Sequence, residues 1–338
     1  MTDRTGNWFE RLFGFPETNR ERVQRELEVH GTRLRAKGSG TSWVCGELEI
    51  ASLADLRDRV RGLEMAGRRG LTMSELVGDA KALHADPAAV GATFQVASQF
   101  NLLEMVSPAV TPEQGITIYE SDPTQGPACA MACAAGTLYR NYFVELDGQL
   151  GQTAGQQIDC LAAIGEQLEN ADNRLWRMRN GYALPTLAGL SEINERLRKM
   201  SDLDLDQLRS HLRIGLQWDT QVTLVGCEHV VTQAYCSALP VAYSGLPAST
   251  WERFARLILE AAYEATWAAA ILNAEKTGNR TLYLTLLGGG AFGNDPRWIL
   301  DAIHHAATRF RAFDLDVRIV SYRRSNPAIR DLCAAGFA

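Results

Sequence analysis

Residues 281–310 read TLYLTLLGGGAFGNDPRWILDAIHHAATRF. Thr281 to Leu287 is an apolar run rich in β-formers, and it is followed by Gly288, Gly289, Gly290, Ala291, Phe292 and Gly293. Asn294 or Asp295 suits a helix N-cap, and Pro296 suits the first turn, where a missing N–H costs nothing. Ile299, Ala302, Ile303, Ala306 and Phe310 then recur at helical spacing. The stretch predicts strand, glycine loop, helix. Such a loop offers bare backbone N–H groups, lets a ligand approach closely and leads into the positive end of a helix, which together suit a phosphate. The plainer alternative is a tight turn using glycine for its positive φ.

Working outward, residues 221–225 and 230–243 are strand-like, and Ser249 with Glu252 forms a capping pair. Phe254, Leu257, Ile258, Ala261, Ala262, Ala265 and Leu272 mark one face of a long helix, which Thr277-Gly278-Asn279 ends. Residues 314–322 make a last strand. Strands alternating with helices predict a parallel sheet with right-handed crossovers. Upstream, Leu71 to Val77 leads into Gly78-Asp79, and the apolar run from Gly91 to Phe100 is followed directly by Asn101. An Asn there lies at the C-terminal edge of a strand, where open α/β sheets bind ligands. Residues 105–143 are irregular at first, with Glu113, Glu120 and Asp122 among prolines and glycines, then feed a small-residue helix after Gln125-Gly126-Pro127. Irregular segments of this length tend to be functional loops.

The remaining segments set the expected organisation: an N-terminal helical and hairpin extension over residues 1–69, then an α/β domain over 70–338 that carries a helical insertion at about 151–212. Within the insertion, Leu175 to Tyr182 (LWRMRNGY) combines arginines with aromatics, which suits either a binding surface or a packed joint. A net charge of −6 argues against a broadly basic nucleic-acid face, so nucleic acid is not an expected partner. The seven cysteines form no CxxC pair and no Cys/His zinc spacing, so no metal and no cofactor is expected. The charged N-terminal stretch has no signal-peptide core, and no run approaches the ~20 apolar residues of a membrane span, which predicts a cytoplasmic protein.

Residues 76–140 and 281–322 together resemble the macro-domain superfamily, which includes the poly(ADP-ribose) glycohydrolases. The resemblance rests on Gly78-Asp79, on Gln95 to Asn101, on Gln125 to Ala128 and on the Gly290-Ala291-Phe292-Gly293 loop with its following helix. It implies a macro-like α/β fold with a mixed, largely parallel sheet flanked by helices. It also implies a site for ADP-ribose, alone or on an ADP-ribosylated protein. Asp79 would then accept a hydrogen bond from the adenine amino group, and Asn101 would meet the distal ribose. Gly126 and its neighbours would meet the diphosphate or the distal ribose from one side, and Gly289, Gly290, Ala291 and Gly293 the diphosphate from the other, with Phe292 packing on the distal ribose. The chain departs from the glycohydrolase pattern in two places: the usual triple glycine is reduced to Gly126 with Pro127, and Ala130 to Ala134 stand where the paired glutamates belong.

If the chain hydrolyses its ligand, as an ADP-ribosyl glycohydrolase does, Glu120 and Asp122 are the candidate carboxylates, with Glu104 a third. The missing glutamate pair fits a non-catalytic nucleotide-binding module instead. Gly288-x-Gly290-x-x-Gly293 also fits the dinucleotide fingerprint of an NAD(P)-dependent oxidoreductase, but no acidic residue ends the next strand and few residues remain for further β-α units.

Overall fold

The computed structural model describes residues 6–63 and 70–335. A seven-stranded sheet forms its centre. In chain order the strands are β1 (Glu47–Ser52), β2 (Thr72–Val77), β3 (Thr93–Ala97), β4 (Arg213–Gln221), β5 (Val230–Cys236), β6 (Thr281–Leu284) and β7 (Asp316–Ser321). They lie side by side as β1-β4-β5-β3-β6-β7-β2. β5, β3, β6, β7 and β2 pair in parallel. β4 is antiparallel to both of its neighbours and runs against the rest. The expected α/β class with a mixed, largely parallel sheet is therefore the observed one.

Helix α1 (Leu53–Arg61) follows β1, and three helices concern the site: α2 (Gln125–Ala132), α3 (Ala248–Thr277) and α4 (Pro296–Phe310). The central strands are buried on both faces, as helix-covered parallel sheets require. Along β3 the side chains alternate. Gln95 reaches Thr266 of α3 (3.2 Å), while Phe94 on the other face stacks on His84 with ring centroids 3.7 Å apart. α4 starts as expected, with Asp295 capping the Arg297 N–H and Pro296 in the first turn. It buries Trp298, Ile299, Ile303 and Phe310 against the core, each worth about 1.5–3 kcal/mol relative to exposure.

Several local expectations are corrected. Within the expected helical and hairpin extension a helix ends at Glu26, and Leu27–His30 pairs with Arg33–Ala36 across a Gly31-Thr32 turn. The strand expected over 230–243 ends at Cys236, and α3 begins at Ala248 without the Ser249–Glu252 box. The segment expected as an N-terminal extension is tied into the main body. β1 is an edge strand of the main sheet, and Trp8, Phe9 and Phe13 share a core with Leu103, Met105, Tyr119 and Tyr142. Residues 64–69, beside the expected boundary, lie outside the described residues. The 151–212 segment has helices at Ala162–Gln167, Leu187–Lys199 and Asp202–Ser210, but also an antiparallel hairpin, Trp176–Arg179 with Tyr182–Pro185.

Candidate binding site

β3 and β6 are parallel neighbours, so the chain leaves both at one edge of the sheet. Between these exits lies a cavity of about 220 Å³. Gly288, Gly290, Ala291 and Phe292 form one wall, and Asp122, Thr124, Gln125, Gly126 and Pro127 form the wall at the start of α2. Ala97 to Gln99 and Glu104 to Val106 form its floor, with Tyr182, Ala238 and Tyr243 alongside.

The glycines of the loop do different work. Gly288 and Gly293 have φ of +74° and +70°. A Cβ on Gly288 would sit 2.4 Å from that of Ala238, and one on Gly293 2.9 Å from that of Ala242. These two are dictated by the turn. Gly290 has φ outside that region and nothing within 4 Å of its Cβ position, so its bareness serves the cavity. The loop is held from behind. The Tyr263 hydroxyl donates to Thr285 O (2.7 Å) and accepts from Leu287 N (2.9 Å), and Asn294 Nδ2 donates to Leu239 O (2.9 Å). Among the described residues the N–H groups of Gly290, Ala291 and Phe292 have no acceptor. Three consecutive free donors on a fixed loop are a backbone feature of the kind that can receive an anion.

The opposite wall adds to it. The Gln125 side chain accepts from Ala97 N (2.9 Å) and donates to Gln95 O (2.8 Å), pinning α2 to the end of β3. Thr124 caps α2 without using its side chain, leaving the first-turn N–H groups of Gln125 and Gly126 at the cavity. A Cβ on Gly126 would lie 2.0 Å from Ala97 O, so only glycine lets the helix approach the strand this closely.

Glu104 comes from a tight turn after β3. Gln99 N bonds Leu103 O, Leu102 takes φ +63°, and Asn101 Oδ1 accepts from Leu103 N (3.2 Å). The carboxyl is 2% exposed, lines the cavity, and neither oxygen has a hydrogen-bond partner. Burial pushes it up to about 8, against a smaller downward pull from Arg140 and Tyr119.

A second groove, of about 680 Å³, adjoins the cavity and shares Thr285, Leu286 and Gly290 with it. Gly289 lies there, with Val320, Ser321, Tyr322, Arg324 and Asn326. Among the described residues no basic side chain lines the inner cavity, and Arg324 is a basic residue of the groove.

The site residues expected from sequence are thus brought together in part. Gly126, Gly290, Ala291, Phe292 and Asp122 share the cavity, and Gly289 faces the groove. Four others lie elsewhere. Asn101 is fully buried, with its amide donating to Gln157 (2.8 Å), because it builds the turn beneath Glu104. Asp79 caps a short helix, accepting from Lys81 N and Ala82 N. Gly293 packs on Ala242. Glu120 turns away to Arg11 (3.1 Å) and Trp8 N (3.4 Å) of the N-terminal helix. Tyr182 emerges from the insertion's hairpin, donates to Met105 O (2.6 Å) and packs against Phe292 and Tyr243. Its motif was visible in the sequence, but its place at the cavity was not. Burial raises the Cys129 thiol well above its usual range, and among the described residues no three His, Cys, Asp or Glu side chains converge on a metal position.

The chain is similar to the solved structure of poly(ADP-ribose) glycohydrolase from Thermomonospora curvata, at 14% identity and a TM-score of 0.45, over 93% of this chain and 94% of that one. It is also similar to a variant of the Deinococcus radiodurans poly(ADP-ribose) glycohydrolase in complex with ADP-ribose, at 11% identity and a TM-score of 0.44, over 85% and 92% of the two chains. No protein-family model matches the chain, and no curated protein matches it. Among the described residues no helix is long and apolar enough to cross a membrane.

Proposed function

We propose that this chain binds ADP-ribose, free or attached to a protein, with the diphosphate against Gly290, Ala291 and Phe292. The observation that carries this is the run of three acceptor-free N–H groups over a cavity whose far wall is the N-terminal turn of α2. Donors from two sides, with no lysine or arginine in the inner cavity, suit a phosphate held by backbone. The inner cavity is smaller than the ~300–1,000 Å³ of a typical ligand pocket. A ligand seated there continues into the groove, and the shared residues 285, 286 and 290 mark where its two halves join. In this arrangement the distal ribose meets Phe292, Glu104 and Asp122, and the nucleoside lies along the groove by Tyr322, towards Asp79. Asn101 acts by holding the Glu104 turn.

The NAD(P)-oxidoreductase alternative fits less well. α4 starts at Pro296, three residues beyond Gly293, and its first turn does not line the cavity. A purely binding module is the second reading, favoured by Glu120 being tied to the N-terminal helix. Calorimetric titration with ADP-ribose tests the proposal. Saturable binding by the folded chain supports it, and the absence of heat up to millimolar ligand rejects it.

A further inference from the structure

We propose that the outer groove selects an ADP-ribose carrying a further phosphate monoester on the ribose of its nucleoside half, met by Arg324, which rests on the ADP-ribose reading above. The groove, of about 680 Å³, is continuous with the inner cavity at Thr285, Leu286 and Gly290. It lies within the ~300–1,000 Å³ range of ligand pockets. In that reading the diphosphate is met by backbone N–H groups, and among the described residues no basic side chain lines the inner cavity. A guanidinium further along is surplus to the diphosphate and calls for a second anion.

This end of the groove is a built structure. β7 ends at Ser321, and Tyr322-Arg323-Arg324-Ser325-Asn326 leads into the helix Pro327–Ala335. β7 is parallel to β6, so this segment leaves the sheet at the same edge as the glycine loop. Glu75 of β2 pins it, accepting from Ser321 Oγ (2.6 Å), Ser325 Oγ (2.5 Å) and Asn326 N (2.5 Å). The bonds from Asn326, Ser321 and Ser325 hold this carboxyl below its usual range, and the charge of Arg330 adds to the pull. Glu75 is thus engaged behind the segment, and among the described residues no carboxylate lines the groove.

Two side chains of the segment are left for a ligand. Tyr322 is 53% exposed in the groove wall, with the Arg323 guanidinium over its ring at 4.7 Å from the centroid. An exposed ring of this kind is a platform on which a base can stack. Arg324 is exposed in the same wall. Its backbone N–H donates to Tyr322 O (2.8 Å), and its guanidinium has no hydrogen-bond or ion-pair partner among the described residues. With the base on Tyr322 and the diphosphate at Gly290, the ribose that joins them lies in the part of the groove that Arg324 lines. A guanidinium fork suits a phosphate, through two parallel N–H···O bonds. Dinucleotide-binding folds admit a ribose 2′-phosphate in the same way, with an arginine. A phosphate monoester brings nearly two negative charges at neutral pH, whereas a bare ribose hydroxyl leaves Arg324 to water.

Titration calorimetry of the full chain with ADP-ribose and with ADP-ribose 2′-phosphate tests this. Wild type is expected to bind the phosphorylated ligand at least about tenfold more tightly, the gain from one charge-assisted pair. The ratio should shrink between about 0.05 M and 0.5 M salt, because an exposed pair is screened. R324A should bring the ratio down to about threefold or less, since the hydroxyl and the phosphate then face the same water. Each protein is judged by the ratio of two ligands, so a general change in groove shape does not imitate the effect. A wild-type ratio below about tenfold overturns the proposal and leaves the ADP-ribose reading standing, as does a ratio indifferent to salt or an R324A ratio above about threefold. Absence of heat with both ligands up to millimolar concentration overturns it together with the reading beneath it.

Discussion

Gly290→Glu separates a binding role of the loop from a structural one. The position has open space where a Cβ would go and is exposed, so the new side chain enters the cavity without displacing protein atoms. It places a carboxylate beside the N–H groups of Ala291 and Phe292, where the diphosphate would sit. No lysine or arginine in the inner lining offsets the added charge. Two like charges about 4 Å apart near a protein surface repel by roughly 4 kcal/mol, and each 1.4 kcal/mol is about tenfold, so affinity for ADP-ribose should drop about a thousandfold. The melting temperature should stay within a degree or two of wild type. Gly288→Ala is the contrasting variant. At φ +74°, with the Ala238 Cβ 2.4 Å from the added methyl, it should destabilise the fold by about 1–3 kcal/mol. Titration calorimetry and thermal melting of both variants decide the matter. ADP-ribose binding by Gly290→Glu at wild-type strength, or a wild-type melting temperature for Gly288→Ala, would refute the division of labour within the loop.

Three other outcomes are expected. Asn294→Ala removes the bonds to Leu239 O and Gly288 O behind the loop; thermal melting should show a loss of about 1–3 kcal/mol, and calorimetry weaker ADP-ribose binding. Tyr182→Phe removes only the bond to Met105 O and keeps the ring against Phe292, so denaturant titration should show about 1 kcal/mol lost and calorimetry little change in affinity. Glu264 is fully buried between Arg57 and Arg309, each at 2.6 Å, and is lowered to about 2 because its hydrogen bonds to Arg57, the charges of Arg57 and Arg309 and the nearby His305 outweigh the upward push of its burial. A carboxylate lowered on folding contributes stability that is full above its ordinary range and is lost as pH falls towards 2. Melting between pH 6 and 3 should therefore show the wild type losing stability steeply, with a shallower loss in Glu264→Gln.

The fold was legible where the determinants are local. β6, the glycine loop and α4 follow from apolar spacing, an Asp-Pro start and glycines between them, and β2, β3 and β7 from short apolar runs ended by turn residues. The reversed β4 was not legible, because an antiparallel partner within an otherwise parallel sheet is chosen by tertiary pairing. The cavity lining was legible at Gly290, Ala291 and Phe292, which sit in a glycine-rich turn between a strand and a helix. It was illegible at Asn101, whose polar side chain at a strand end suits a ligand contact and an internal turn bond equally well. Glu104 stood out among the acids of residues 104–122 only once its burial and its place in the cavity lining opposite Gly126 were seen. Glu120 shows the converse, an acid in a promising loop claimed by Arg11, more than a hundred positions earlier.

β1 has a consequence for how the molecule can be cut. Its residues 47–52 shield the outer side of β4 along six paired positions. A fragment beginning at residue 70 would keep the residues of the glycine loop and of the cavity lining, yet leave β4 with a bare row of amides and carbonyls. Such an edge is a template for pairing with another chain. The shortened protein would therefore tend to self-associate along β4, and would also lose the aromatic packing of Trp8, Phe9 and Phe13 behind Met105. β1 thus guards the outer side of β4, while the helix before it packs behind Met105 of the cavity lining.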